Sequence, residues 1–275
     1  MRTQRAGRKA PPFARMGTDG RMAEVVITTR GVTKQFDGLV AASNVDFEIR
    51  HGDTVGIIGP NGAGKSTFFN LLTGLYLPDS GSITYMGKDI TRMPPYDRVD
   101  LGIVRTFQLV SVFDTLTVLE NMMLARIRFD KSYGRKRFFL RNLLKSREVD
   151  GCRKALDTIG IADKGDVKVS DLPYGKKREL EIAIALSMNP KLLLLDEPLA
   201  GMSMVEITEI MDIIRGLKST LTIVLVEHKI SKILDLVDTL YVMHEGQIIC
   251  SGEPNAVIGD PAVKECYFGK DNVCY

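Results

Sequence analysis

Short apolar runs and helical periodicities alternate along the chain, and their order sets out an architecture. Strand-length runs stand at Val25–Thr29, Val45–Ile49, Thr54–Ile58, Ser82–Tyr85, Leu192–Leu195, Leu221–Val226, Thr239–Met243 and Gln247–Ser251. The early runs follow one another closely with turns between them, which predicts a small antiparallel β portion. Leu192–Leu195 is apolar on both faces, as in a parallel strand covered by helices. Ile207, Ile210, Met211, Ile214 and Leu217 recur at helical spacing and predict an amphipathic crossover helix over Met204–Leu217. Helix and strand alternate beyond Pro190, so a doubly wound α/β sheet is expected there. From Thr117 to Met188 helical spacing dominates and no strand pattern stands out, which reads as a helical insertion in the α/β core.

Composition narrows this picture only a little. The chain has 275 residues, 44% hydrophobic and 26% charged, in the range of ordinary globular proteins. A formal net charge of +3 is too small to argue for nucleic acid by itself. Cys152, Cys250, Cys266 and Cys274 form no Cys-x-x-Cys pair, which suits a reducing compartment and argues against a disulfide framework or zinc site. The longest apolar runs are strand-length, so a membrane role is expected to be peripheral. Met1–Arg21 is rich in arginine, contains Pro11-Pro12 and has no apolar core of a secretory signal. It is expected to be disordered, with Met22 as an alternative start. Arg126–Arg147 is densely basic, with Phe129, Tyr133, Phe138 and Phe139 interleaved. Such a run is most simply a solvated face; facing anionic headgroups or a membrane partner is the sharper alternative.

The chemistry begins at Gly59-Pro60-Asn61-Gly62-Ala63-Gly64-Lys65-Ser66-Thr67, which fits G-x-x-x-x-G-K-[ST]. The run Thr54–Ile58 precedes it and a helix-forming stretch, Phe68–Leu72, follows, giving the strand–loop–helix context the motif needs. Glycines let backbone N–H groups curl around a phosphate, and the helix behind aims its positive end inward. Lys65 would reach the β- and γ-phosphates of a nucleoside triphosphate, and the Ser66 hydroxyl would take a place on Mg²⁺. At Leu192–Glu197 a buried strand ends in adjacent carboxylates. Asp196 could hold Mg²⁺ through water, and Glu197 could polarise an attacking water as a general base. A mere acidic C-cap is the alternative reading of that pair, and the phosphate loop upstream weighs against it. Val226-Glu227-His228 ends another apolar strand in the same way. A lone strand-end histidine is more often structural than catalytic, yet His228 would lie beside a γ-phosphate if the strands are neighbours. His51 and His244 lack such context and are read as surface or turn residues.

Together these motifs resemble the nucleotide-binding subunit of an ABC transporter, over nearly the whole chain from Met22. Arg105-Thr106-Phe107-Gln108 is similar to that family's glutamine loop, and Leu172-Pro173-Tyr174-Gly175-Lys176 to its signature motif. Asp196-Glu197-Pro198 and His228 match the acidic strand end and the switch histidine. Phe36 stands where the family places an aromatic against adenine; packing at a strand end would explain it equally well. Gly102–Gln108, Thr117–Asn121, Leu180–Ala183, Ala200-Gly201-Met202 and Asp260–Tyr267 resemble one branch, the ATPase of high-affinity branched-chain amino-acid importers.

The resemblance implies a P-loop NTPase (RecA-like) doubly wound sheet with an antiparallel β subdomain and an inserted helical subdomain. The core would span 22–108 and 189–253, the helical subdomain about 109–188, and a C-terminal helical tail 254–275. It implies ATP and Mg²⁺, with Ser66, Gln108 and Asp196 on the metal side and Lys65, Glu197, His228 and Gln108 as the hydrolytic set. Pro173, Tyr174, Gly175 and Lys176 would act in trans, on ATP held by a second ABC ATPase subunit of the same or a related kind. Transmembrane permease subunits would be direct partners and an external solute-binding protein an indirect one. The expected location is the cytoplasmic face of the cell membrane, with no nucleic acid involved. Pro173 departs from the family's usual serine in that motif, leaving the Gly175 amide, the helix dipole and the Lys176 charge to meet an anion. Ser203 likewise replaces the common aspartate or asparagine after the acidic strand. The alternatives are a soluble ABC-type ATPase acting on nucleic acid or ribosomes, and a small-molecule kinase. The first usually carries paired cassettes or long coiled-coil arms; the second leaves Leu172–Lys176 and His228 without a purpose.

Overall fold

The computed structural model describes residues 24–106, 112–129, 147–228 and 230–268. The expectations for Met1–Arg21, for Phe107 and Gln108, and for most of the basic segment lie outside the described residues.

The early strand runs, apart from Thr54–Ile58, join a short further strand in a four-stranded antiparallel sheet in the order β2-β1-β4-β5. Its members are β1 (Val25–Phe36), β2 (Leu39–Arg50), β4 (Ser80–Tyr85) and β5 (Lys88–Asp89). Both β1 and β2 run well past the apolar segments that announce them. The β1–β2 pairing is interrupted by register shifts near Thr29–Val32, beside Gly31 at φ +58°, so the apolar alternation breaks while the strand goes on.

The second sheet has six strands in the order β10-β9-β3-β8-β7-β6. β3 (Thr54–Ile58), β6 (Ile103–Arg105), β7 (Leu192–Asp196), β8 (Thr222–Val226) and β9 (Thr239–His244) are parallel, and β10 (Gln247–Gly252) returns antiparallel to β9. Their side chains alternate between cores. Leu193, Leu195, Ile223 and Leu225 face one apolar cluster, while Leu192, Leu194, Val224 and Val226 face another shared with the antiparallel sheet. That division is why Leu192–Leu195 and Ile223–Val226 are apolar at every position.

Helices cover the sheet. α1 (Lys65–Thr73) follows β3, and α2 (Pro95–Asp100) precedes β6. The inserted segment contributes α3 (Val118–Phe129), α4 (Arg147–Thr158) and α5 (Tyr174–Ser187). Its described residues contain only an isolated bridge, Thr117 with Lys168, in keeping with the expected helical insertion. α6 (Met204–Leu217) has the bounds its periodicity predicts and buries Ile207, Ile210, Ile214 and Leu217. α7 (Ile230–Ile233), α8 (Pro254–Gly259) and α9 (Pro261–Phe268) are the remaining helices among the described residues. No helix among the described residues is long and apolar enough to cross a membrane.

A fully buried arginine fixes the far end of α1. Arg98 donates to the carbonyls of Leu71 at 2.7 Å and Leu72 at 2.8 Å, capping the helix terminus from α2, and to that of Ile90 beyond β5 at 2.6 Å. Burial pulls its guanidinium down to about 10, so it remains a cation at neutral pH. It is a structural device with no signal in the local sequence pattern.

Candidate functional site

Because β3, β8 and β7 are adjacent and parallel, the segments leaving their carboxyl ends converge at one edge of the sheet. Ligand crevices of open α/β sheets form at such edges. The phosphate-loop sequence leaves β3, Glu197 follows β7, and His228 follows β8 just beyond Glu227. An open cleft of about 990 Å³ lies there, lined by Asn61, Gly62, Ala63, Gly64, Lys65, Ser66, Thr67, Glu197 and His228. Phe36, Leu39, Val40, Ala41 and Glu245 complete its lining.

The loop is clamped by distant elements. Gly246 donates from its backbone to the Ala63 carbonyl at 3.0 Å, and Ser43 donates to the Gly246 carbonyl at 2.8 Å. Gly64 has φ +96°, and a Cβ there would lie 2.3 Å from the Ala41 carbonyl oxygen. Only glycine fits, for both space and backbone angle. Lys65 opens α1 from within this cradle and donates to the carbonyls of Gly59 at 2.7 Å and Pro60 at 2.9 Å. Burial lowers its pKa, and the carboxylates of Glu197 and Asp196 counter that by favouring the cation.

The catalytic candidates meet directly. Glu197 Oε1 is 2.6 Å from His228 Nε2, and His228 Nδ1 is 3.5 Å from Lys65 Nζ. Glu197 sits at φ +48°, a conformation non-glycine residues seldom adopt, held by its amide donating to the Val226 carbonyl at 3.0 Å. Sequence reasoning passed over Glu227, which is buried between the turns that carry these groups. Its carboxylate accepts from the Leu199 amide at 2.8 Å and the His228 amide at 3.2 Å. It thereby ties the segment after β7 to the segment after β8. Burial pushes its pKa up, partly offset by those amides.

Asp196 lies behind Glu197 at the end of β7 and is 2% exposed. Its Oδ2 accepts from Arg105 Nη2 at 2.5 Å, while its Oδ1 is buried with no hydrogen-bond partner among the described residues. A buried carboxylate oxygen left over in this way fits a hard cation that takes one or two protein oxygens and fills its shell with phosphate and water.

Phe36 is exposed at the cleft, outside both apolar clusters: its ring meets Tyr76 edge-on at 5.1 Å, with the Lys34 ammonium 5.4 Å from the ring centre. Pro173, Tyr174, Gly175 and Lys176 do not line the cleft of their own chain. Pro173 is the N-cap of α5, with φ −58° and ψ 156°, and Tyr174 is exposed. The Gly175 amide donates to Glu206 Oε1 at 3.0 Å, and Lys176 pairs with Glu179 and Glu209. Ser203 caps α6 in a reciprocal pair with Glu206. Glu206 therefore joins the start of α5 to the turn after β7, a link the sequence pattern does not disclose. His51 is exposed in a turn and His244 ends β9; neither lines the cleft.

Residues 42–200 match the family model described as ABC transporter. The chain is 34% identical over 259 residues to the high-affinity branched-chain amino acid transport ATP-binding protein LivG of Salmonella typhimurium, covering 90% of this chain and 100% of that one. It is 35% identical over 251 residues to the probable branched-chain amino acid transport ATP-binding protein LivG of Methanocaldococcus jannaschii, covering 89% and 98%. Among solved structures, the ADP conformation of an ATP-binding cassette of an ABC transporter superposes with a TM-score of 0.81 at 34% identity, covering 90% of this chain and 99% of that one.

Proposed function

The chain belongs to the ABC transporter family, and we propose that it is the ATPase subunit of an importer for branched-chain or closely related amino acids. ATP binding and hydrolysis are general to this family's cassettes. The solute class is taken from the relatives that match this chain over nearly its full length. The observation that carries the hydrolytic reading is the contact line Lys65–His228–Glu197 at the mouth of the phosphate loop.

Lys65 donates to its own loop carbonyls; the terminal phosphates of ATP would take over that ammonium. The loop amides and the α1 dipole add further positive potential for the phosphates. Ser66 and Asp196, with Gln108 from the glutamine loop, would hold Mg²⁺, which neutralises charge on the β- and γ-phosphates when bound. Glu197 would orient a water and accept its proton as the water oxygen bonds to the γ-phosphorus and the bond to the bridging oxygen breaks, releasing ADP and phosphate. His228, held by Glu197 and by Glu227 through its amide, would contact the γ-phosphate. Placement of these groups is most of the catalysis, since phosphoryl transfer depends chiefly on alignment and charge stabilisation. Phe36 would stack on adenine.

Pro173, Tyr174, Gly175 and Lys176 stand outside their own cleft, which supports their use in trans by a second ABC ATPase subunit. ATP between two subunits would favour closure by mass action, and its hydrolysis would release it. Permease subunits would bind from the membrane side, and a solute-binding protein would act on them from outside.

The test is purification in mild detergent followed by reconstitution in vesicles. Permease subunits should co-purify, and phosphate release should rise when a branched-chain amino acid and its binding protein are supplied. Co-purification with ribosomes or RNA instead, with no solute response, would overturn the importer reading.

A further inference from the structure

We propose that Arg105 is a positioning residue for the metal side of the site: it holds one oxygen of Asp196 so that the other is presented to Mg²⁺. This rests on the reading of Asp196 as a metal-side carboxylate.

The geometry is specific. The guanidinium gives Nη2 to Asp196 Oδ2 at 2.5 Å and Nη1 to Asn70 Oδ1 at 2.6 Å. Its central carbon lies 5.4 Å from the Phe69 ring centre. Asn70 and Phe69 belong to α1, the helix that begins at Lys65. Arg105 therefore spans β6, β7 and α1, the elements that carry the glutamine loop, the acidic strand end and the phosphate loop. The pair is nearly dry, with side-chain exposures of 8% and 2%. The backbone beside it is also fixed: the Thr106 amide donates to the Leu194 carbonyl at 2.9 Å, and the Asp196 amide donates to Thr106 Oγ1 at 3.4 Å. Asp196 can thus neither rotate freely nor offer both oxygens to a cation. Its unpartnered Oδ1 is the one left to face a metal.

The chemistry follows from the planar fork. A guanidinium can hold Asp196 and Asn70 at once in fixed directions, while a lysine ammonium is a single flexible point charge. Groups that orient a ligating carboxylate typically govern metal affinity by about 10–100-fold.

The experiment compares Arg105→Met, Arg105→Lys and Asp196→Asn in the full chain. The free Mg²⁺ needed for half-maximal phosphate release is measured at saturating ATP. Mn²⁺ uptake by the ATP-loaded protein is followed separately by loss of the free-ion electron paramagnetic resonance signal. Arg105→Met should raise both half-saturation values on the order of 10–100-fold, with ATP affinity in EDTA within about threefold of wild type; Arg105→Lys should fall between. A merely structural role would weaken metal-free ATP binding as well. A folded Arg105→Met protein with unchanged metal dependence overturns the proposal. If that variant does not fold, Arg105→Lys decides, and a shift below about threefold overturns it. Unchanged metal dependence in Asp196→Asn would instead overturn the reading of Asp196, and the role of Arg105 with it.

Discussion

Replacing Gly64 and Gly62 by alanine, one at a time, separates the reasons this loop needs glycine. Gly62 has φ +81° and open space around it, with nothing within 4 Å of where a Cβ would stand. Gly64 has φ +96° and would place Cβ 2.3 Å from the Ala41 oxygen and 3.2 Å from Gly246 Cα. Both substitutions meet the cost of a left-handed backbone, about 1–2 kcal/mol. Only Gly64→Ala adds the displacement of packed backbone, about 1–3 kcal/mol. The totals are about 1–2 kcal/mol for Gly62→Ala and about 2–5 kcal/mol for Gly64→Ala. At roughly 2–4 °C per kcal/mol for a chain of this size, Gly64→Ala should melt about 2–12 °C below Gly62→Ala. Thermal unfolding of the nucleotide-free proteins reads this directly, without contribution from phosphate contacts. Equal melting temperatures would refute the claim that β2 and the β9–β10 turn clamp the loop.

Further outcomes follow from other contacts. Pro173→Ser should leave ATP affinity of the isolated chain unchanged and alter turnover of the assembled complex, since Pro173 does not line its own cleft; a large change in monomer affinity would count against action in trans. Arg98→Met should lower stability by at least about 3 kcal/mol, because charged hydrogen bonds to buried carbonyls are lost together; thermal melting with normal nucleotide affinity checks it. Burial raises the folded pKa of Glu227, so its contribution to stability is greatest below the unfolded value and is lost as pH rises through the folded one. The melting difference, wild type minus Glu227→Gln, should therefore shrink as pH rises above the ordinary glutamate value of 4.5; a difference that grows with pH would reverse the sign of the argument.

Much of this was legible in the chain itself, where a local rule was at work. The spacing of Ile207, Ile210, Ile214 and Leu217 gave α6 its bounds because one helical face packs on the sheet. The unbroken leucines of β7 announced a strand covered on both sides, and the motif after β3 placed the cleft. What stayed hidden depends on partners far apart in sequence. β6 is too short for a pattern and is recognisable only through its pairing with β7. Arg105 reads as one more cation until Asp196 and Asn70 are beside it. Glu227 and Glu206 look like surface acids, yet one bridges the turns after β7 and β8 and the other joins α5 to α6. Phe36 left its alternatives open in sequence; the structure puts its ring at the cleft wall, against Tyr76.

The most direct measurement is phosphate release by the assembled complex carrying Glu197→Gln. The amide is isosteric and can keep the contact with His228, so the cleft should retain its shape and hold ATP. Loss of the general base should slow hydrolysis by about 10²–10⁴-fold, or about 2.7–5.4 kcal/mol in barrier, and trap the ATP-bound pair. Hydrolysis within about threefold of wild type would contradict the account, because no water-activating carboxylate would then stand at the Lys65–His228–Glu197 convergence.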